Sequence, residues 1–199
     1  MLQYLVLVGV VFSLCGTIPY LINTIGGGTK PNKISWLMWA VAPLIATFAA
    51  LSKGVTWAVV PVFMSGFGPL CVLVVSLFSK KAYWKLTVFD YFCGLFSVLA
   101  LVLWLITKEA NVAIIFAIIS DLFAAIPTLK KAWIHPETET VTIYITGLIS
   151  SLTSYAAVTN WIFPEYGFAT YLVAVDAFLI FSIYGRRILV KSFLFAKKK

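Results

Sequence analysis

Asp121 and Asp176 stand in the middle of apolar stretches, AIISDLFAAIP and YLVAVDAFLIF. Each lies about ten residues inside its run, which is ~15 Å at the helical rise of 1.5 Å per residue. An ionised carboxylate that deep in hydrocarbon costs at least ~2.5–3.5 kcal/mol. A cation, a hydrogen-bonded neighbour, a proton or a water-filled path must offset that cost. Two carboxylates sharing a dry site do not both ionise readily, so a shared proton or a bound cation is the expected chemistry. Two serines match them in depth: Ser13 stands 108 residues before Asp121, and Ser65 stands 111 before Asp176. One site with a neutral half and an acidic half is the expectation, with Ser13 and Ser65 donating hydrogen bonds.

The elements that hold these residues follow from composition. Hydrophobic residues make up 62% of the 199 positions and charged residues only 11%, a balance that would precipitate a soluble globule. Crossing the hydrocarbon core takes ~20 apolar residues. Seven runs qualify: 2–23, 34–51, 56–79, 86–107, 111–133, 141–161 and 167–190. Membrane strands would be half as long and would alternate apolar with polar residues. The expected fold class is therefore an all-α membrane protein with seven transmembrane helices, residues 1–199 forming a single membrane domain. No Lys or Arg precedes the first run and no small-x-small site follows it, so it is read as a span and not a cleaved signal.

Charge orients the spans. The ends after odd-numbered runs hold Lys30, Lys33, Lys80, Lys81, Lys85, Lys130, Lys131, Arg186, Arg187, Lys191 and Lys197 to Lys199, which is 13 of the 15 basic residues. The other side holds Lys53 and Lys108. By the positive-inside rule the N-terminus is outside and the C-terminus cytoplasmic, in a plasma or bacterial inner membrane. The basic excess reads as topology and not as a nucleic-acid surface, and the tail 192–199 is the expected contact for anionic lipids.

Other polar residues receive plainer readings. Glu109, Glu137, Glu139 and Glu165 fall in loops, where solvent accounts for them. Asp90, a turn inside the fourth run near Lys85, is read as structural. Trp36, Trp57, Trp84, Trp133 and Trp161 lie near run ends, as an interfacial belt would. Ser150 and Ser154, four apart, share a face suited to interhelical hydrogen bonds. Cys15, Cys71 and Cys93 lie inside spans and imply no disulfide framework. His135 lies in a loop, and no metal-ligand spacing or nucleophile-base arrangement appears. No metal, no cofactor and no enzyme activity is expected. A retinal pigment would need a lysine in the middle of the seventh span, and that span has only Lys191 at its far end.

The chain also repeats itself. Pro19 pairs with Pro127 at an offset of 108, Pro31 with Pro136 and Trp39 with Tyr144 at 105, and Ser65 with Asp176 and Lys80 with Lys191 at 111. The offset changes only in loops, where insertions are tolerated. Residues 1–79 thus form a first three-helix repeat, 86–107 a linker helix and 111–191 a second three-helix repeat. An odd linker helix gives both repeats the same orientation. Prolines inside spans each remove one backbone hydrogen bond. Pro19, Pro43 and Pro127 can therefore be hinges or fixed kinks, and Pro61 and Pro69 with Gly66 and Gly68 make the third span irregular too. Trp39 and Tyr144, a turn or two inside their spans, can wall a cavity, stack on a sugar ring or simply pack.

This three-one-three pattern resembles the PQ-loop and SWEET transporter superfamily over nearly the whole chain, SWEETs being built of parallel repeats with midplane sites. Pro19-Tyr20 and Pro127-Thr128 stand where the narrower PQ-loop families have Pro-Gln. Ser65-Gly66-Phe67-Gly68 looks like the Asn-Gly-x-Gly of the third SWEET helix, with Ser65 in place of the sugar-binding asparagine and Asp176 in the equivalent place of the second repeat. The resemblance implies a transporter that moves a small polar solute by alternating access, with sugar as the family's substrate class. The acidic pair makes a cationic or amino-acid-like solute, or proton coupling, a competing expectation. The substrate-binding candidates are Ser13, Ser65, Asp121, Asp176, Trp39 and Tyr144, and the hinge candidates are Pro19, Pro43 and Pro127. The rival reading is a PQ-loop-type membrane receptor or assembly factor that binds a ligand without transporting it. Either accommodates a homo-oligomer.

Overall fold

The structure, a computed structural model, describes residues 2–79, 81, 84–107 and 109–196, excepting the side chains of 96, 97, 100, 101, 103–105 and 186–196. Lys80, Lys108 and Lys197 to Lys199, and the side chains of Arg186, Arg187 and Lys191, lie outside the described residues. All described elements are helical, and a helix satisfies its backbone groups within the segment where no water can do so. They are α1 (Leu5–Gly26), α2 (Lys33–Leu51), α3 (Val60–Phe78), α4 (Val88–Thr107), α5 (Ala110–Ile134), α6 (Thr142–Thr153) and α7 (Phe163–Ala196). Single 3-10 turns precede α1 and α3, and another follows α6. Among the described residues, the stretches Leu2–Gly26, Lys33–Leu51, Trp57–Phe78, Ala110–Ile134 and Phe163–Gly185 are long and apolar enough to cross a membrane.

Local chemistry sets the ends of α1 and α2. Gly27 closes α1 at φ +85°, a left-handed conformation that glycine adopts without strain, and its N–H returns to the carbonyls of Asn23 and Thr24. Asn32 opens α2, its side-chain oxygen accepting from the N–H groups of Ile34 and Ser35.

Two expectations need correction. The sixth run does not form a helix over 141–161. α6 ends at Thr153 and continues only as a 3-10 turn over Ser154–Ala157. The Thr153 hydroxyl donates to the Ser150 carbonyl at 2.6 Å, which competes with the regular helical bond to that oxygen. The seventh helix is longer than the run 167–190, starting at Phe163 and continuing to Ala196.

Packing is pairwise and ordered. α3 lies against both α1 and α2, and α7 lies against both α5 and α6. α1 packs along α6, α2 packs along α5, and α4 rests mainly on α5. The α1–α6 approach depends on missing side chains. A Cβ on Gly16 would overlap the Thr146 side chain and come within 3.0 Å of the Ile143 Cα, and one on Gly9 would sit 3.1 Å from the Ser150 carbonyl. Small residues let helix backbones close in when lipid supplies no hydrophobic drive. The outer face of α1 carries Leu7, Val11, Leu14, Ile18, Ile22 and Ile25, all exposed. Such a face suits lipid and not water.

The core has two layers. Near the end that carries the α2–α3 and α6–α7 connections it is alanine-rich, with Ala42, Ala46, Ala113, Ala117 and Ala169 around Ile114 and Phe168. Near the opposite end it is aromatic, with Tyr20, Trp36, Trp39 and Tyr144. The candidate site lies between them.

Candidate solute cavity

A cavity opens between α1, α2 and α3 on one side and α5, α6 and α7 on the other. Its volume is about 80 Å³. Several waters or one small solute would fit.

Helical spacing brings the lining together. α1 contributes Ser13 and Thr17, one turn apart. α2 contributes Trp36, Trp39 and Pro43, and α3 contributes Pro61, Met64, Ser65 and Pro69. α5 contributes Asp121, α6 contributes Tyr144, Gly147, Ser150 and Ser151, and α7 contributes Val175, Asp176 and Leu179. All six residues singled out from the sequence, Ser13, Ser65, Asp121, Asp176, Trp39 and Tyr144, therefore line one space. Of the candidate hinges, Pro43 lines it too, while Pro19 and Pro127 lie within α1 and α5 away from the lining. Pro43 and Pro69 withdraw the N–H groups that the carbonyls of Trp39 and Ser65 would bond in an unbroken helix.

The two carboxylates are held differently. Asp121 is 2% exposed. Its Oδ2 accepts from the Tyr171 hydroxyl at 2.7 Å, and its Oδ1 is buried without a partner. The Trp39 indole N–H reaches the backbone carbonyl of Asp121 at 3.4 Å, which ties α2 to α5 at this level. Asp176 lies against the bare backbone of Gly147, where a Cβ would sit 2.8 Å from Oδ2. The expected role of Ser65 as a donor into the site is not what the geometry gives: its hydroxyl donates to the Val62 carbonyl at 2.7 Å.

Below the cavity, towards the α1–α2 and α5–α6 loops, a polar cluster closes the bundle. Glu139 Oε2 accepts from the hydroxyls of Tyr144 at 2.8 Å and Tyr20 at 3.1 Å. Its other oxygen pairs with the Lys131 ammonium. Lys131 also donates to the Lys30 carbonyl at 2.6 Å and sits 5.0 Å from the centre of the Trp84 ring. The two loops are tied again by Lys30 N–H to the Thr138 carbonyl, 3.2 Å, and by the hydroxyls of Thr29 and Thr140, 2.5 Å apart.

Sequence reasoning missed several of these residues. Glu139, set aside as a solvated loop acid, is 4% exposed and anchors the cluster. Glu165 is buried as well, accepting from the backbone N–H groups of Thr159 and Asn160 at 2.8 and 2.9 Å. Glu109 and Glu137 are exposed, as expected. Trp36 is not an interfacial residue: it is 1% exposed and lines the cavity. The signal was its spacing of three from Trp39, which puts both rings on one face of α2. Asp90 is structural, as read, but its partners are Asn32 at 2.9 Å and the Thr87 hydroxyl at 2.9 Å, not a lysine.

No family model, curated protein or solved structure matches the chain.

Proposed function

We propose that this protein is a transporter that moves a small polar solute across a membrane by alternating access between two parallel three-helix repeats, α1–α3 and α5–α7, with α4 as the linker. The observation that carries the reading is the cavity between the two halves, in which two acidic residues, hydroxyls and aromatic rings converge at mid-span. The packing pattern supports the repeat. Exchanging α1, α2 and α3 with α5, α6 and α7 turns the α1–α6 contact into the α5–α2 contact, and α3 and α7 hold equivalent places. Opening such a bundle at one end requires its closure there to separate. The Lys131–Glu139 cluster joins the two halves at the end that the charge distribution assigns to the cytoplasm. With this orientation the N-terminus is outside, and anionic lipids lie beside the cytoplasmic end.

The test is exchange of labelled solutes by the purified protein in liposomes. Accumulation above that of protein-free liposomes supports transport. Ligand binding without exchange favours a receptor or assembly factor instead. The hinge reading adds an expectation. Pro127→Ala restores an N–H, and one regained helical hydrogen bond, worth about 1 kcal/mol, slows exchange about fivefold if α5 must bend. Pro19→Ala behaves alike if the halves are equivalent. Unchanged exchange in both variants makes these prolines fixed kinks.

A further inference from the structure

We propose that the solute is a small organic cation, an amine or a guanidine, with no carboxylate of its own. The proposal rests on the reading of the cavity as a solute site and names what that site selects.

The charge of the lining comes first. Asp121 and Asp176 both line the cavity, and among the described residues no lysine, arginine or histidine does. The nearby buried lysine, Lys131, belongs to the closing cluster with Glu139. A carboxylate-bearing solute would therefore meet two acids and no counter-charge.

The free hydrogen-bonding capacity comes second. Asp121 Oδ1 is buried with no donor, although Oδ2 of the same carboxylate is well held by Tyr171. The group is thus fixed in orientation with one oxygen left open. Asp176 has no described donor, and its carboxylate rests where Gly147 leaves space. Several of the protein's own donors are committed. The Tyr144 hydroxyl goes to Glu139, the Ser65 hydroxyl to the Val62 carbonyl, the Tyr171 hydroxyl to Asp121 and the Trp39 N–H to the Asp121 carbonyl. The open charged capacity of the cavity is therefore all acceptor, on the two carboxylates. A sugar needs donors as well as acceptors around its hydroxyls, whereas an ammonium or guanidinium only donates. The Ser150 hydroxyl and the Trp36 Nε1–H line the cavity as buried donors without a partner, and they suit neutral polar atoms on the solute body.

The rings come third. Tyr144 offers its ring, its hydroxyl being engaged, and it stands edge-on to Trp39 at 6.4 Å between centroids. Aromatic faces beside carboxylates make a site that favours an organic cation over a fully hydrated inorganic one.

The test uses matched pairs on the full chain in detergent and in liposomes. Agmatine is compared with arginine, and tyramine with tyrosine, each pair differing by one carboxylate, with glucose as the neutral control. Isothermal calorimetry is expected to give agmatine or tyramine at least tenfold tighter binding than its carboxylate partner, and glucose none. Asp121→Asn and Asp176→Asn are each expected to weaken the bound amine at least tenfold while circular dichroism keeps the helical signal. Equal binding within both pairs, binding of glucose alone, or no binding of either amine overturns the proposal. So does unaltered amine affinity in both variants. The pair comparison on the unmodified protein decides the question even if a variant fails to fold. Amine binding without exchange in liposomes upholds the solute class and removes the transporter reading. Glucose exchange without amine binding does the reverse.

Discussion

Lys131→Met is expected to destabilise the protein by about 3–5 kcal/mol, the range for stranding one member of a buried ion pair. The two side chains are 2% and 0% exposed, so water does not reach the pair from outside. Removing the ammonium leaves the Glu139 carboxylate with only the hydroxyls of Tyr20 and Tyr144. It also strips the Lys30 carbonyl of its donor. Detergent-titrated unfolding followed by circular dichroism reads the loss. The double variant Lys131→Met with Glu139→Gln is expected to recover most of it, because a neutral amide still accepts from the tyrosines. A single variant as stable as the unmodified protein would mean that the cluster closes the loops without holding them. A double variant no better than the single would mean that shape and not charge was lost.

The second large effect lies on α1. Gly16→Leu is expected to abolish stable folding, because even its first carbon would overlap Thr146 and press on the Ile143 backbone. Overpacking usually costs about 1–3 kcal/mol, and a whole isobutyl group against a neighbouring backbone belongs beyond that range. Gly26→Ala supplies a comparison on the same helix with the opposite sign. Nothing lies within 4 Å of a Cβ there, and an unstrained alanine for glycine gains about 0.4–1 kcal/mol by restricting the unfolded chain. Thermal unfolding of the two variants should therefore move in opposite directions. Gly16→Leu protein that melts like the unmodified chain would show that α1 and α6 can separate without loss.

Much of this architecture is legible in the sequence because a hydrocarbon layer of given thickness demands apolar runs of matching length. The runs 34–51 and 86–107 end within two residues of α2 and α4. Depth was legible too, since counting from a run end measures distance along the helix. Ser13, Ser65, Asp121 and Asp176 were matched by the repeat offsets at equal depth, and they line one cavity. Direction was harder. Trp36 near a span end satisfies the rule for an interfacial tryptophan, and only its neighbours on the helix face reveal that it points inward. Loop acids were hardest. Glu139 and Glu165 have no periodic neighbours to give a face, and their burial depends on which distant groups fold over them. The early end of α6 was hidden for a related reason: Ala156, Ala157 and Trp161 keep the stretch apolar after the helix has stopped.

That short helix has a consequence for the lipid around the protein. The 12 residues of α6 and the four of its 3-10 extension reach only ~26 Å. The hydrocarbon of an ordinary bilayer is ~30 Å thick. In a bilayer of that thickness this flank would be too short, a mismatch that thinning of the adjoining leaflet would relieve. Glu165 makes this tolerable, because it collects the N–H groups of Thr159 and Asn160 that would otherwise demand water. The notch beside α6 would then be the place where acyl chains bend, and the protein would sort towards thinner membranes.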